Sequence, residues 1–238
     1  MEGLRLCARY AYMPNQMGYC GPHEANRKIL DYVLGKEVDD IRGILSRFEA
    51  LHPYLNLIAR ANGVDDEFYG RVVEALWVGN GLLDNVGRAD IADMMRDEFG
   101  KFLPTKVLDY YCRNLPEGCV PHHSLHVLYL QTVTGVIAKT VENQDNCRIS
   151  WGKVKSKGEM LSIESQRLKV KHGRYVLEPC VKEVDYKTAG KVFTDVKVGD
   201  DVAVHWGLAV EVLDGERLKM LRKYTEHNMR LLNPEIKH

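Results

Sequence analysis

The stretch Val198–Asp214, with the sequence VGDDVAVHWGLAVEVLD, decides the fold of the second half of the chain. A Gly-Asp turn opens it, and small and β-branched residues then dominate Val202–Val210, which predicts a strand. Asp214 is placed to cap a helix, and the apolar spacing that follows is helical over Leu213–Leu232. We therefore expect a strand that leads directly into a terminal helix.

Upstream of this stretch, short β-type runs follow one another with turn residues between them. The glycines and prolines at 158, 173, 179, 190 and 199 separate these runs. The predicted strands are Cys147–Lys155, Met160–Ser165, Leu168–Val170, Tyr175–Leu177, Val181–Val184 and Lys191–Phe193. Short strands at short spacing predict a small β-barrel.

The first part of the chain has a helical rather than a β-type apolar rhythm. The predicted helices are Pro22–Leu34, Val38–Leu51, Leu55–Ala61, Asp65–Gly79, Ala89–Phe99, Thr105–Asn114 and His122–Ala138. His52-Pro53 is expected to break the pattern, and the polar run Val141–Asn146 is expected to be a linker. The prediction is an α+β protein, with a helical domain at 1–142 and a β-barrel domain with a terminal helix at 146–238.

The composition and charge of the chain argue against several classes of function. The 238 residues carry 33 basic and 33 acidic side chains, so no basic excess indicates a nucleic-acid partner. No apolar run is long enough to span a membrane, and we expect a cytoplasmic protein. The six cysteines form no CxxC pair, which argues against a zinc ribbon or a thioredoxin-type site and leaves each thiol to be judged separately.

Two segments of the β-rich part resemble the HypC/HupF family of hydrogenase-maturation chaperones. Residues Cys147–Val154 place a cysteine and a Gly-Lys-Val step in register with the opening Met-Cys-Leu-Ala-Ile-Pro-Gly-Lys-Val segment of that family. Residues Val198–Val210 are similar to its Val-Gly-Asp-Tyr-Val-Leu-Val-His-Val-Gly-Phe-Ala-Ile run. The helical part resembles an uncharacterised family in which Tyr-Cys-Gly-Pro and Pro-His-His-Ser-x-His segments precede such a barrel; here these are Tyr19–Pro22 and Pro121–His126.

The resemblance implies an OB-type barrel and a role in assembling a metal centre. Proteins of the HypC type bind a low-valent iron that carries cyanide and carbon monoxide, work with an iron–sulfur partner, and deliver the iron unit to a hydrogenase subunit. Carried over to this chain, Cys147 would be the thiolate ligand, and His205 the second ligand or its support. The implied cofactor is iron, and the implied partners are proteins of a metal-centre assembly pathway.

The residue chemistry supports a metal on separate grounds. A thiolate and an imidazole together suit iron, copper or zinc, and two protein ligands leave positions open, as a carrier requires. The helical part offers weaker candidates in His122, His123 and His126, of which the first and last share a helix face at i, i+4.

Two other functions stay open from the sequence. One is an enzyme centred on Cys20, His23, His122 and His126, in which a helix N-terminus would lower the pKa of the Cys20 thiol. The other is a metal-free module in which the barrel mediates a protein contact. The sequence does not indicate whether the Cys/His residues of the two parts meet.

Overall fold

The computed structural model describes residues 2–233 and confirms an α+β architecture, with helices first, then an antiparallel sheet, then a terminal helix. The helices are α1 Gly3–Gln16, α2 Asn26–Val33, α3 Ile41–Ser46, α4 Leu51–Ala61, α5 Gly70–Trp77, α6 Arg88–Phe99, α7 Thr105–Asn114, α8 His123–Leu125, α9 Val141–Cys147 and α10 Gly215–Leu232. Within residues 2–233, no helix combines the length and the hydropathy needed to cross a lipid bilayer.

Several helices lie where the apolar rhythm places them. The prediction Thr105–Asn114 is confirmed residue for residue, and α6 begins one residue before the predicted start. The predicted break at Pro53 is wrong, because this proline lies in the first turn of α4, where its missing N–H has no helical partner to lose.

The predicted long helix His122–Ala138 is also wrong. Only α8 and a single π-helical turn, His126–Leu130, form there, and Gln131 ends the turn with a left-handed φ of 70°. The predicted linker is instead α9, which Thr140 caps by accepting a hydrogen bond from the backbone N–H of Asn143. Cys147 is therefore the last residue of a helix and not the first of a strand.

The sheet contains five antiparallel strands in the order β3-β2-β1-β6-β7, and a two-residue hairpin, β4-β5, lies beside it. The strands are β1 Ser150–Lys157, β2 Leu161–Lys171, β3 Arg174–Val184, β4 Lys187–Thr188, β5 Lys191–Val192, β6 Asp201–His205 and β7 Leu208–Leu213. Four short predicted runs thus merge into the long hairpin β2-β3, whereas the predicted strand Val202–Val210 divides in two around a Trp206-Gly207 turn.

The sheet does not close into the predicted barrel within the described residues. Its two edge strands meet at one bridge, where Asp185 exchanges backbone hydrogen bonds with Gly207 and Ala209. The chain between β3 and β6 otherwise runs through the small hairpin and a loop, and it therefore supplies no continuous ladder that would join the edges.

The largest apolar core joins the helical part to the sheet and to α10. Its buried members come from most helices and also include Trp151, Val210 and Leu221. A smaller cluster fills the other face of the sheet around Ile163 and Val202. The terminal helix is confirmed, and Asp214 caps it by accepting a hydrogen bond from the N–H of Arg217.

Candidate metal centre

Three side chains from separate segments come together where the helical part meets the sheet. His123 opens α8, Cys147 ends α9 and His205 ends β6. Their potential ligand atoms all lie within 4.8 Å of one another. We call this group the inner site.

His205 is held with one ring nitrogen free. Its side chain is 1% exposed, and Nδ1 lies 2.7 Å from the carbonyl oxygen of Tyr10 in α1. A carbonyl can only accept, so Nδ1 carries the proton and Nε2 carries the lone pair. Nε2 has no hydrogen-bond partner. Metal-binding histidines are commonly oriented in this way by a backbone carbonyl.

His123 sits between Cys147 and two aromatic rings. Its Nε2 lies 3.0 Å from the Cys147 carbonyl oxygen and 3.9 Å from Cys147 Sγ. The ring packs on Trp77 at 4.5 Å between centroids and meets the His205 ring edge-on at 5.4 Å. The carbonyl contact places a proton on Nε2, so ligation through this nitrogen would move the proton to Nδ1.

The Cys147 thiol is fixed by the junction of α9 with the β6-β7 turn. The backbone N–H of Trp206 donates to the carbonyl of Asn146 at 2.8 Å. Cys147 packs in a small apolar cluster with Val127, Ile137 and Trp206. The turn that follows His205 is thereby tied to the residue that precedes Cys147.

Burial sets the protonation of all three groups. It lowers the pKa of His205 to about 4, against the opposing effects of the backbone groups of Tyr10 and Cys147. It also holds the pKa of His123 well below its usual range, with His205 and His126 adding to the effect. It raises the pKa of the Cys147 thiol to about 12. At neutral pH the site therefore offers neutral imidazoles and a thiol that must lose its proton to bind a metal.

The inner site opens onto a cavity with about 40 Å³ of space for water-sized molecules. Cys20 and His126 line the same cavity, so candidates from both parts of the chain meet there. The remaining wall is largely apolar and includes Phe48 and Leu51.

Other predicted residues lie elsewhere. His122 caps α8, accepting from the backbone N–H of Ser124, and its ring faces Tyr224 in α10. His23 is exposed and is not among the residues that line the cavity. The predicted low pKa of Cys20 is wrong, because burial raises the pKa of this thiol, with Cys147 and Glu49 adding to the effect.

Some contributors were not predicted from the sequence. The Tyr10 carbonyl orients His205, and Trp77 packs against both inner-site histidines. Backbone carbonyls leave no trace in a sequence, and a tryptophan near a helix end is more often a core residue. The glycine two residues after Trp77 is the one local sequence signal, because it indicates a turn at the end of this helix. Gly79 has a φ of 95°, and a Cβ there would lie 2.2 Å from the Tyr224 ring.

The donor set fits a borderline-soft transition metal. Metal–nitrogen and metal–sulfur bonds of about 2.0–2.3 Å in a tetrahedron place donors roughly 3.3–3.6 Å apart. The 3.9 Å between His123 Nε2 and Cys147 Sγ is close to that spacing, and the upper limit of 4.8 Å for the set requires only a small contraction. The unpaired, buried Nε2 of His205 is the atom that a metal would satisfy.

Fold and site together define an α+β protein with a buried His–Cys–His group at the junction of its helices and its sheet. The whole chain, residues 1–238, matches the family of unknown function DUF6390, and the protein belongs to that family. No curated protein and no solved structure matches the chain.

Proposed function

We propose that this protein binds a transition-metal ion, iron in the first instance, at His123, Cys147 and His205, and that it serves as a carrier or assembly factor for a metal centre. The observation that carries the proposal is the convergence of three ligand-type side chains from three segments in one buried cavity. The free Nε2 of His205 supports it, because a buried polar atom without a partner is costly.

A carrier role rests on the number of donors. Structural zinc sites commonly have four protein ligands, whereas three ligands beside a cavity leave a position for an exogenous group. The HypC-like segments make hydrogenase-type iron the first candidate for the cargo. On the same grounds, we propose that the sheet domain is related to the HypC-type chaperones. The segments also make proteins of a metal-centre assembly pathway, including an iron–sulfur partner, the first candidates for partners.

The test is elemental analysis of protein purified without oxygen, comparing the parent with Cys147→Ala. We expect about one iron per chain in the parent and a loss of at least tenfold in the variant, since the only thiol of the inner site is gone. Infrared bands of cyanide or carbonyl stretches in the parent would tie the iron to hydrogenase-type assembly.

Two controls separate ligation from folding. Cys112→Ala removes a buried thiol whose Sγ lies 3.5 Å from the carbonyl of Ala92, outside the cavity, and should keep the iron. His122→Asn removes the histidine next to the site but leaves a residue that caps helices well, and it should also keep the metal. Iron retained in Cys147→Ala would refute the proposal, and metal-free parent protein after anaerobic iron loading would favour a protein-contact module.

A further inference from the structure

The inner site is closed off from solvent in the structure. Cys147 is 5% exposed and His205 is 1% exposed, and the cavity beside them has about 40 Å³ of space for water-sized molecules. That volume holds a few water molecules at most, so a hydrated metal ion or an organic thiol reagent is too large to enter it. Part of the protein must therefore move before anything larger than water reaches Cys147.

The segment 131–140 joins the π-helical turn to α9 and covers the thiol of the inner site. It contains no helix or strand. Ile137, near its middle, packs against Cys147 in the apolar cluster that also contains Trp206. Gln131 and Ile137 are the residues of this segment that line the cavity of the inner site.

The segment meets the rest of the protein across a second, smaller space of about 20 Å³. Residues 131–134 and 137 lie on one side of it, and Tyr19, Cys20, Glu49 and Ala50 lie on the other. Five residues line both this space and the cavity of the inner site, and Ile137 is one of them. The boundary between segment 131–140 and its neighbours therefore leads to the inner site.

The hydrogen bonds of segment 131–140 are local. Gln131 Nε2 donates to the Ala138 carbonyl at 2.9 Å, and the Gly135 N–H donates to Thr132 Oγ1 at 3.0 Å. Other bonds join the end of the segment to Tyr129 and to α9, which are its neighbours in the chain. Within residues 2–233, no hydrogen bond crosses the smaller space to residues 19–20 or 49–50.

Two buried apolar side chains attach the segment to the rest of the protein. Val133 is 4% exposed and belongs to the main core, whereas Ile137 is 5% exposed and packs on Cys147. Val136, between them, is 58% exposed. A segment with few buried contacts and local hydrogen bonds opens at a lower free-energy cost than the core does.

The segment begins at a strained residue. Gln131 has a φ of 70° and a ψ of −44°, and a positive φ is rare for residues other than glycine. Its side chain is 1% exposed, and its Oε1 has no hydrogen-bond partner. It follows the π-helical turn His126–Leu130, a type of turn that is frequent at functional sites. Movement of the segment would relieve both the strained backbone and the unpaired oxygen.

We propose that residues 131–140 form a lid over the inner site, which turns about Gln131 and lifts Ile137 from Cys147 to admit the metal ion. The lid closes when Ile137 packs on the thiol again, and it then separates the site from solvent. This inference rests on the proposed function for the identity of the cargo. The movement itself can be measured at the Cys147 thiol without any metal.

The experiment is alkylation of the metal-free 238-residue chain with N-ethylmaleimide, with each cysteine followed separately by peptide mass spectrometry. Ile137→Ala should raise the rate at Cys147 by about tenfold or more, because the truncation weakens the contact that keeps the lid closed. Cys7 is a fully buried thiol of α1 and reports unfolding of the whole molecule, so its rate should not change.

Three further variants separate lid opening from other effects. Ile137→Val is a milder truncation that disturbs folding less, and it should give an intermediate rate at Cys147. Val136→Ala shortens an exposed residue of the same segment, and Val127→Ala removes a member of the Cys147 cluster that lies outside the lid. The last two should keep the parental rate.

The outcomes distinguish the lid from the proposed function. The lid would be overturned by an unchanged Cys147 rate in Ile137→Ala, by a rise that Cys7 shares, or by an equal rise in Val127→Ala. A faster Cys147 with an unchanged Cys7 supports the lid, even where elemental analysis finds no metal and the carrier function fails. Iron bound by a parent whose Cys147 rate does not respond to Ile137→Ala would keep the function and remove the lid.

Discussion

The two nitrogens of His205 have different neighbours, and this difference gives the residue its chemistry. Nδ1 donates to the Tyr10 carbonyl, while Nε2 is buried with no partner. The ring therefore has a fixed tautomer with its lone pair directed away from α1. His122 Nε2 and His126 Nδ1 are also buried without a partner, so His205 is distinguished by its convergence with His123 and Cys147.

Asp145 is the residue that ties α9 to the sheet. Its Oδ1 accepts from the buried guanidinium of Arg148 at 2.8 and 3.0 Å and from the backbone N–H of Leu168 at 2.9 Å, and its Oδ2 pairs with Lys182 at 2.8 Å. Arg148 directly follows α9, whereas Leu168 lies on β2 and Lys182 on β3. Cys147 lies between the two charged residues, so this network also positions the thiol.

Asp145→Asn should therefore destabilise the protein by about 3–5 kcal/mol, because it leaves Arg148 buried without a counter-charge. Urea unfolding measures the change. Asp195→Asn is the control. That carboxylate is exposed and lies as far as 3.9 Å from the Lys157 ammonium, so the loss of stability should stay within about 0.5 kcal/mol. Equal costs for the two variants would show that the buried network adds nothing.

At the scale of elements, the β6-β7 hairpin brings His205 to the site. Trp206 and Gly207 form a two-residue turn with φ values of 49° and 75°, the left-handed pair that matches the twist of a hairpin. His205 pairs with Leu208 across the turn. The hairpin residue Trp206 packs on Tyr19 at 4.7 Å, beside Cys20.

Gly207→Ala should cost about 1–2 kcal/mol, because an alanine is strained in the left-handed region. A Cβ at this position meets nothing within 4 Å, so the cost is conformational and not steric. Gly215→Ala is the control: it lies in the first turn of α10 with open space around it and should be neutral or slightly stabilising. Chemical denaturation of both variants provides the comparison, and an unchanged midpoint for Gly207→Ala would contradict the turn assignment.

The same elements show what the sequence could predict. Helices α6 and α7 are recognisable from their apolar spacing, and the terminal helix from its apolar spacing together with the Asp214 cap. Helix α9 is polar and short, so its capping threonine was its only signal. The β-barrel prediction failed at closure, because strand number and spacing say nothing about whether two edges meet along their length.

The site was predictable in part. Cys147 and His205 were singled out by the resemblance, and the structure places both in the inner site. The choice among His122, His123 and His126 could not be made, because helical spacing pairs the first with the last, whereas the helix starts one residue later and makes His122 its cap. The approach of Cys20 to Cys147 joins distant parts of the chain and has no local signature.

At the scale of the whole molecule, one core supports both parts of the chain. The main apolar cluster runs from α1 through the sheet to α10, and Arg9 of α1 donates to the carbonyls of Phe193 and Val210. The inner site lies at this junction. A bound metal should therefore stabilise the molecule as a unit.

Removal of the metal tests this linkage. A ligand present at 100 times its Kd stabilises by about 2.7 kcal/mol, which corresponds to a Tm shift of roughly 5–10 °C for a chain of this size. A chelator should therefore lower the Tm of the metal-loaded parent by that amount in calorimetry. Cys147→Ala should show no chelator effect, and an equal decrease in both proteins would point to chelation elsewhere.

The wide spacing of the donors along the chain has a consequence for biosynthesis. His123 emerges from a ribosome well before Cys147, and His205 follows only when the hairpin that carries it has been made. The Tyr10 carbonyl that orients His205 belongs to the first helix, so the earliest and the latest of these groups must meet before the ring is set. An unfinished or misfolded chain cannot assemble the full ligand set. Bound metal would therefore indicate that the molecule has been completely synthesised and folded.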